Sequence, residues 1–383
     1  MTAPNPLETL GVYIHWPYCA RICPYCDFNV VRDRGRPEQK AALTAAILAD
    51  LKAHAALTGP RRLVSIFFGG GTPSLMDPTD VGRLIEAARA LWTPADDLEI
   101  TLEANPTDAE ADRFAALSAA GVNRLSLGVQ SLDDAALGLL GRNHDARAAR
   151  RAIEVARAAF ARLSVDLIYA LPGQDLAAWA DELSLVAGLG AEHISPYQLT
   201  IEPGAAFHRR VQRGNLVPLD ADRAADFYET TQSVLGGAGF EAYEVSNHAR
   251  GRAARSRHNL IYWRGEDYVG VGPGAHGRLT LEGQRFAAAA PDAIIAYVEQ
   301  VRRAGTGSPR EPLAPREVAL ERLLMGLRTV EGVPIADLAP LAIPASRLES
   351  LDPLVRRQDG RLVATPAGRP VLDRVIAELV AGG

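Results

Sequence analysis

The sequence predicts an α/β fold: a partial, TIM-like (β/α)6 barrel followed by a smaller α-rich module. Short apolar runs rich in β-branched residues alternate with segments of helical period, which is typical of βαβ units and a parallel sheet. The segments after the first five runs are polar, Gly-rich or Cys-rich, as expected at the carboxyl-terminal rim of a parallel barrel. The alternation alone also fits a doubly wound sheet.

Six strands and six helices are predicted in order along the first 240 residues. Asp175 and Gly190 bracket the fifth helix, since Asp is a favourable N-cap residue and Gly often follows a helix end. The strands are expected at 12–16, 63–69, 98–103, 124–130, 163–171 and 193–200. The helices are expected near 37–58, 78–92, 108–119, 145–160, 175–188 and 220–236.

Beyond residue 240 the pattern changes, and the chain is predicted to divide into three parts. Residues 1–240 form the barrel, 241–310 an extension rich in aromatic residues and glycine, and 311–383 a small helical module. Within the extension, 258–278 is predicted to be an ordered loop region and 306–315 a Gly/Pro-rich linker. An amphipathic helix is expected just after the linker.

Composition excludes several classes of protein. The 383 residues are 48% hydrophobic and 23% charged, which is typical of a globular chain and not of a disordered one. The net charge is −5, whereas nucleic-acid-binding domains usually carry a basic excess. The first ten residues lack a secretory pattern, and no run reaches the roughly 20 apolar residues of a membrane helix. We therefore expect a cytoplasmic protein with no nucleic-acid partner and no membrane-spanning segment.

The cysteines are the clearest chemical signal. All three, Cys19, Cys23 and Cys26, lie in one C-x3-C-x2-C run after the first predicted strand. An odd number of crowded thiols suits metal or cluster ligation better than disulfides. A structural zinc site needs four ligands, and His15 is the only nearby substitute for the fourth. Three thiolates on a four-iron cluster would instead leave one iron open to a ligand.

Polar or Gly-rich positions follow the other predicted strands. The glycines of GGGTPS (69–74) let backbone approach a ligand closely, although a turn needs the same residues. Glu103 is as well suited to capping the next helix. Taken singly, Gln130, Arg142 and Asp166 are ordinary polar residues, although arginine can bind a carboxylate in bidentate fashion. Because each position lies at or just after a different strand, we expect them to act as a set.

The cysteine run, with an aromatic residue directly before its third cysteine, resembles the radical S-adenosylmethionine (SAM) superfamily. The resemblance implies that the cysteines hold a [4Fe–4S] cluster and that SAM chelates its open iron. It also implies that reductive cleavage of SAM yields a 5′-deoxyadenosyl radical, while the protein binds and orients the cofactor. By the same resemblance the residues at the SAM site or near the cluster are Tyr13, Tyr25, Gly70, Gly71, Thr72, Glu103, Gln130, Arg142 and Asp166.

Motifs along nearly the whole chain narrow the resemblance. YIHWPYCARICPYCDF, GGGTPS, GVQSLDD, DLIYALPGQ and HNLIYW resemble the coproporphyrinogen-dehydrogenase-like branch, and most closely its HemW-type haem chaperones. Oxygen-independent coproporphyrinogen dehydrogenases carry a fourth cysteine two residues after the third, and this chain has Phe28 there. That departure argues against oxidation of a porphyrinogen.

HNLIYW supplies the candidate haem-binding residues. His258 offers an imidazole, a common axial ligand of haem iron, and Tyr262 and Trp263 offer flat apolar faces. Taken alone, a histidine in an Arg-rich segment is more often solvated or hydrogen-bonded, and His248 and His276 are rivals nearby. HNxxYW is associated with haem binding in the HemW group, so the resemblance implies a haem site at His258, Tyr262 and Trp263.

Four functions stay open on the sequence. The favoured one is a haem chaperone that binds haem on a radical-SAM scaffold and passes it to an acceptor, for example a respiratory protein. The second is oxidative decarboxylation of a porphyrinogen propionate. The third is another radical-SAM reaction, and the fourth is a zinc-stabilised binding protein. No catalytic residue is assigned, and whether the chain is an enzyme stays open.

Overall fold

One large sheet organises the computed structural model, which describes residues 8–108 and 111–381. In chain order the strands are β1 (Thr9–Trp16), β2 (Tyr18–Cys19), β3 (Val31–Arg32), β4 (Arg62–Gly70), β5 (Thr93–Ala104), β6 (Arg124–Gln130), β7 (Arg162–Tyr169), β8 (His193–Gln198), β9 (Glu241–Ala242), β10 (His248–Ala249), β11 (Asp267–Val271), β12 (His276–Leu281), β13 (Gln284–Ala289), β14 (Arg310–Pro312), β15 (Val333–Pro334), β16 (Val355–Gln358) and β17 (Arg361–Ala364).

Helices connect most of the parallel strands and cover the sheet. They are α1 (Pro37–Thr58), α2 (Pro78–Leu91), α3 (Ala111–Ala119), α4 (Asp134–Leu139), α5 (Ala146–Ala159), α6 (Leu176–Gly188), α7 (Ala206–Gln212), α8 (Ala221–Gly237), α9 (Arg257–Arg264), α10 (Ile294–Ala304), α11 (Pro315–Gly326), α12 (Ala345–Ser350) and α13 (Leu372–Val380). All six strands and six helices predicted before residue 240 are present, although positions 109 and 110 of the third helix lie outside the described residues.

The sheet is parallel at its centre and antiparallel at both edges. Strands β11, β1, β4, β5, β6, β7 and β8 are parallel neighbours in that order. The chain β12-β13-β14 extends one edge, and β10-β9 extends the other, both by antiparallel pairing. Because parallel neighbours point the same way, the ends of their strands meet at one rim, as a partial (β/α)6 barrel requires. The predicted α/β barrel is confirmed.

The segment predicted as a loop, 258–278, is instead regular structure. It contains most of α9, all of β11 and the start of β12. Ser256 caps α9 by accepting a hydrogen bond from the Asn259 N–H, and Gly265 ends the helix with a φ of 61°. Position 270, within β11, requires glycine because a Cβ there would collide with the backbone carbonyl of His276. The glycines that suggested a loop allow two strands to approach closely.

The segment predicted as a linker, 306–315, is also part of the sheet. Its residues Arg310–Pro312 form β14 and pair with β13. The Gly307 N–H donates to the carboxylate of Asp50 on α1 at 2.8 Å. The linker prediction was therefore wrong for these residues, since they are hydrogen-bonded to the barrel.

The carboxyl-terminal part has its own apolar core, which gathers buried side chains such as Leu323, Leu338, Val355 and Leu379. Helices predominate there, as predicted, but β15, β17 and β16 also form a small antiparallel sheet that the sequence analysis did not predict. The division of the chain at 240 and 310 stays a prediction.

Among the described residues, α1 alone is long and apolar enough to meet a length-and-hydropathy test for a membrane span. It has 22 residues and a mean hydropathy of 1.2 over its most apolar window. Its buried face carries Asp50, whose carboxylate accepts a hydrogen bond from the Tyr297 hydroxyl at 2.8 Å. The helix packs against α2 and α10, so it occupies the position of a barrel helix.

Candidate functional site

A cavity of about 510 Å³ lies at the carboxyl-terminal rim of the parallel strands. We call it the rim cavity. It brings together residues from the cysteine loop and from the ends of several strands. The predicted cluster and SAM residues that line it are Cys19, Cys23, Cys26, Tyr25, Gly70, Gly71, Thr72, Glu103, Gln130, Arg142 and Asp166.

The glycine-rich segment after β4 packs directly against the cysteine loop. A Cβ on Gly70 would lie 2.5 Å from a ring carbon of His15, and one on Gly71 would lie 2.6 Å from the Tyr18 carbonyl oxygen. The Gly71 and Thr72 N–H groups donate to the carbonyls of Trp16 and Tyr18 at 2.7 and 2.8 Å. These glycines therefore place the segment beside the cysteines, in addition to any contact they make with a ligand.

Gln130 reaches the rim cavity through an unusual backbone conformation. It is the last residue of β6, its φ is 68°, and the register with β7 shifts between Gly128 and Gln130. A non-glycine residue in the left-handed region costs on the order of 1–3 kcal/mol and is concentrated at functional sites. The bulge turns the end of the strand so that Gln130 lines the cavity.

A chain of hydrogen bonds connects two of the three thiols. The Thr72 hydroxyl donates to Cys19 Sγ at 3.6 Å, and the Asn105 amide donates to Thr72 Oγ1 at 3.1 Å. Arg142 donates to the Asn105 side-chain carbonyl and, at 3.3 Å, to Cys23 Sγ. Hydrogen bonds to cluster sulfurs tune the reduction potential of a cluster. These hydrogen-bonded side chains therefore form an outer shell around the predicted cluster. The sequence analysis missed Asn105, although it stands two residues after Glu103.

Burial raises the pKa of two carboxyl groups in the rim cavity, Glu103 and Asp166. Burial, reinforced by the nearby charge of Asp166, raises the pKa of Glu103 to about 8, although the Gly70 N–H donates to it at 3.2 Å. Burial also raises the pKa of Asp166, which accepts hydrogen bonds from the hydroxyls of Ser126 and Ser164 at 2.8 and 3.1 Å. A bound cation beside Glu103 would favour its ionised form.

The three thiols suit a cluster better than a single ion. Burial raises the pKa of Cys19, and it raises that of Cys26 to about 11. Within residues 8–108 and 111–381, no three His, Cys, Asp or Glu side chains converge as ligands of one metal ion. Each thiolate of a four-iron cluster binds a different iron, so its sulfurs need not converge on one point. The donor set fits a [4Fe–4S] cluster with one open iron.

His15 is not available as the fourth ligand that a zinc site would need. Its side chain is buried, and both ring nitrogens are engaged: Nδ1 with the Tyr13 hydroxyl at 3.0 Å and Nε2 with the Asn29 carbonyl at 2.8 Å. Burial lowers the pKa of this imidazole. The zinc hypothesis therefore lacks its last ligand.

A second cavity, of about 770 Å³, lies between the end of β1, the helices α9 and α11, and the edge strands. We call it the edge cavity. Aromatic side chains of Tyr262, Trp263 and Tyr268 line it. Tyr13 also lines this cavity and not the rim cavity, so its contact with SAM stays a prediction. Asp27 and Phe28, directly after the third cysteine, line both cavities.

The proposed haem ligand His258 lines neither cavity. Its ring is fully buried and stacks on Phe67 with centroids 5.0 Å apart. Nδ1 is hydrogen-bonded to the Ser65 hydroxyl at 2.8 Å, and Nε2 to the Tyr262 hydroxyl at 2.6 Å. Burial lowers the pKa of His258 to about 3. HNLIYW thus divides into a core histidine and two aromatic residues on a cavity wall.

The comparisons with known proteins agree with the fold. The Radical SAM superfamily model matches residues 13–186. A "Heme chaperone HemW" of Mycobacterium tuberculosis (strain ATCC 25618 / H37Rv) is 35% identical, covering 99% of this chain and 96% of that protein. This chain belongs to the HemW family of the radical SAM superfamily.

Two further relatives extend the comparison. "Radical S-adenosyl methionine domain-containing protein 1, mitochondrial" of Bos taurus is 45% identical over 336 residues, covering 85% of this chain and 74% of that protein. The solved structure of coproporphyrinogen III oxidase (HemN) from Escherichia coli matches with a TM-score of 0.80. It covers 99% of this chain and 92% of that chain at 22% identity, and it shows that the two share a fold.

Proposed function

We propose that this chain is a haem chaperone: it binds haem on a radical-SAM scaffold and transfers it to an acceptor protein. The observation that carries the proposal is the full-length similarity to a protein described as a haem chaperone, which covers 99% of this chain. The residue two positions after the third cysteine supports it. Phe28, where the porphyrinogen-oxidising resemblance expects a fourth cysteine, is 63% exposed and offers no thiol.

The rim cavity is proposed to hold the cluster and SAM. Cys19, Cys23 and Cys26 would bind three irons, and SAM bound to the fourth supplies the chemistry of a 5′-deoxyadenosyl radical. Glu103 is buried with a raised pKa, and its carboxyl group would pair with the SAM amino group and give up its proton on binding. Asp166 already accepts hydrogen bonds from two serine hydroxyls, and it would also accept hydrogen bonds from the ribose hydroxyls of SAM.

The edge cavity is proposed to hold the haem. Its volume of about 770 Å³ lies within the range of small-molecule sites, roughly 300–1,000 Å³. Tyr262 and Trp263 supply flat faces for a macrocycle. Arg278 and Arg285 line the same cavity, ion-paired to Glu321 at 2.7 Å and to Asp267 at 2.6 Å. The haem would be anchored if the two arginines released Glu321 and Asp267 and paired with its propionates instead.

The acceptor is proposed to be a haem-requiring protein, for example a respiratory one, and the compartment to be the cytoplasm. The three cysteines are unpaired in the structure, and thiols that hold a cluster need a reducing compartment. The bovine relative carries "mitochondrial" in its name, which describes that protein.

The test is an anaerobic titration of cluster-reconstituted protein with haem, followed by visible spectroscopy. We expect saturation near one haem per chain and transfer of that haem to an apo-acceptor. A chain that takes up no haem specifically, yet consumes SAM when given coproporphyrinogen, would contradict the proposal and favour oxidative decarboxylation instead.

A further inference from the structure

The edge cavity contains one histidine whose ring is open to a ligand. His276 begins β12, is exposed, and lines the cavity. Its side chain forms no hydrogen bond or ion pair within the part of the chain that the structure describes. The other histidine on the cavity wall, His15, is buried with both ring nitrogens engaged. Of the two histidines that line this cavity among the described residues, His276 alone can therefore meet an iron without breaking a contact in the core.

The other two candidate histidines, His258 and His248, are buried and hydrogen-bonded to other side chains. His258 would have to leave its hydrogen bonds to Ser65 and Tyr262, and a buried polar group left without a partner costs about 1–3 kcal/mol. His248 is buried in β10, and its Nε2 contacts the Gln232 side-chain carbonyl at 3.2 Å. Neither lines the edge cavity.

The walls around His276 are partly aromatic and apolar, and they carry three arginines beside three acidic side chains. Tyr262 and Trp263 contribute aromatic walls, and Phe28 lines the side nearest the cysteine loop. Val318 and Met325, from α11, add apolar surface. A porphyrin is a large aromatic ring with two carboxylates, and these walls together with the arginines of the cavity complement both features.

We propose that His276 supplies the axial imidazole to the iron of a haem bound in the edge cavity, and that His258 is a structural residue of the core, hydrogen-bonded to Tyr262. This inference rests on the proposed function, because it takes haem as the cargo. In it, the HNLIYW motif contributes a wall of the site and β12 contributes the ligand.

The experiment compares His276→Ala with His258→Ala, using His208→Ala as the control. His208, on α7, lines neither cavity. Each variant is reconstituted with its cluster, titrated anaerobically with haem, and followed by its Soret band and magnetic circular dichroism. We expect His276→Ala to bind haem about tenfold more weakly or worse, since it loses a coordinate bond to iron. Free imidazole should restore the wild-type spectrum in that variant.

His276→Tyr provides a gain of signal, because a phenolate ligand gives a spectrum unlike that of an imidazole. We expect His258→Ala to unfold at a lower temperature but to keep the imidazole-type spectrum. The inference is overturned if His276→Ala keeps the wild-type affinity and spectrum, or if His258→Ala alone loses the imidazole signature while still folded. Wild-type protein that takes up no haem overturns the proposed function, and a haem-binding wild type with an unaffected His276→Ala overturns the inference alone.

Discussion

The two cavities share a wall at Asp27 and Phe28 but are built in different ways. The rim cavity collects side chains from the ends of parallel strands and from the loops that follow them. The edge cavity is formed where α9, α11 and the antiparallel edge of the sheet meet. In the first, topology alone brings distant residues together. In the second, the packing of single helices and strands decides which face of a short motif is exposed.

The HNLIYW motif on α9 illustrates this difference between the two cavities. His258 and Tyr262 are four residues apart, so on α9 they lie on the same face, and each becomes the other's hydrogen-bond partner. In the sequence this spacing suggests a pair of ligands, but in the structure the two side chains are hydrogen-bonded to each other. The rim residues come from separate segments of the chain, so a hydrogen bond such as that of Arg142 to Cys23 joins distant parts of the fold.

The largest effect is expected from Cys23→Ser. Loss of one thiolate should abolish most of the cluster absorbance and SAM binding, measured after anaerobic reconstitution. If the two cavities work separately, the variant should still bind haem with an affinity close to that of the wild type. Equal loss of haem binding would contradict the separation.

Glu103→Gln should act on the rim cavity alone. Loss of a charged partner for the SAM amino group is expected to weaken SAM binding by about 10- to 100-fold, measured by equilibrium binding. Haem affinity should not change. A variant that binds SAM as well as the wild type would show that Glu103 does not face the amino group.

Glu103→Gln should also change how the stability of the protein depends on pH. The pKa of Glu103 is raised from 4.5 to about 8, so folding favours its protonated form. Its contribution to stability is therefore present below pH 4.5 and lost as the pH rises through 8. We expect the melting temperature of the apoprotein to fall more steeply with pH in the wild type than in Glu103→Gln. Parallel curves would contradict this assignment.

Asn105→Ala tests the hydrogen-bond chain between Cys19 and Cys23. Removal of an outer-shell partner of a metal ligand commonly costs about 10- to 100-fold in affinity or activity, and we expect the lower end for retention of the cluster. The midpoint potential of the cluster should shift, because Thr72 and Arg142, which donate to Cys19 and Cys23, both lose the side chain that holds them in place. Asn259→Ala, at another position on the cavity wall, is the control.

The smallest effect is expected from Tyr262→Phe. This change leaves the aromatic face in the edge cavity but removes the hydroxyl that binds His258. Unfolding should become easier by about 1–3 kcal/mol, and haem affinity should change little. A large loss of haem binding at unchanged stability would indicate that the hydroxyl contacts the haem directly.

The sequence predicted the barrel and most of the rim because both depend on strong, repeated patterns. Alternating strands and helices determine which strand ends share a rim, and the resemblance to the radical SAM superfamily identifies Glu103, Gln130, Arg142 and Asp166 as residues of that rim. Asn105 escaped because a lone asparagine after a strand has no distinctive spacing. Its role depends on Arg142 and Thr72, which come from other parts of the chain.

The edge cavity was less predictable for a physical reason. Glycines and aromatic residues in 258–278 resembled a loop, whereas Gly270 permits a close crossing of two strands and Gly265 ends a helix. His276 was recognised as a rival of His258, but exposure decides between them, and exposure depends on how β12 and α9 pack. The position of Tyr13, on the wall of the edge cavity, likewise follows from side-chain direction along β1.

The most direct test of the account is an anaerobic haem titration of cluster-reconstituted protein, with and without saturating SAM. The account predicts saturation near one haem per chain in both cases, because haem and SAM occupy different cavities. Absence of saturable binding, or release of haem in proportion to added SAM, would contradict it.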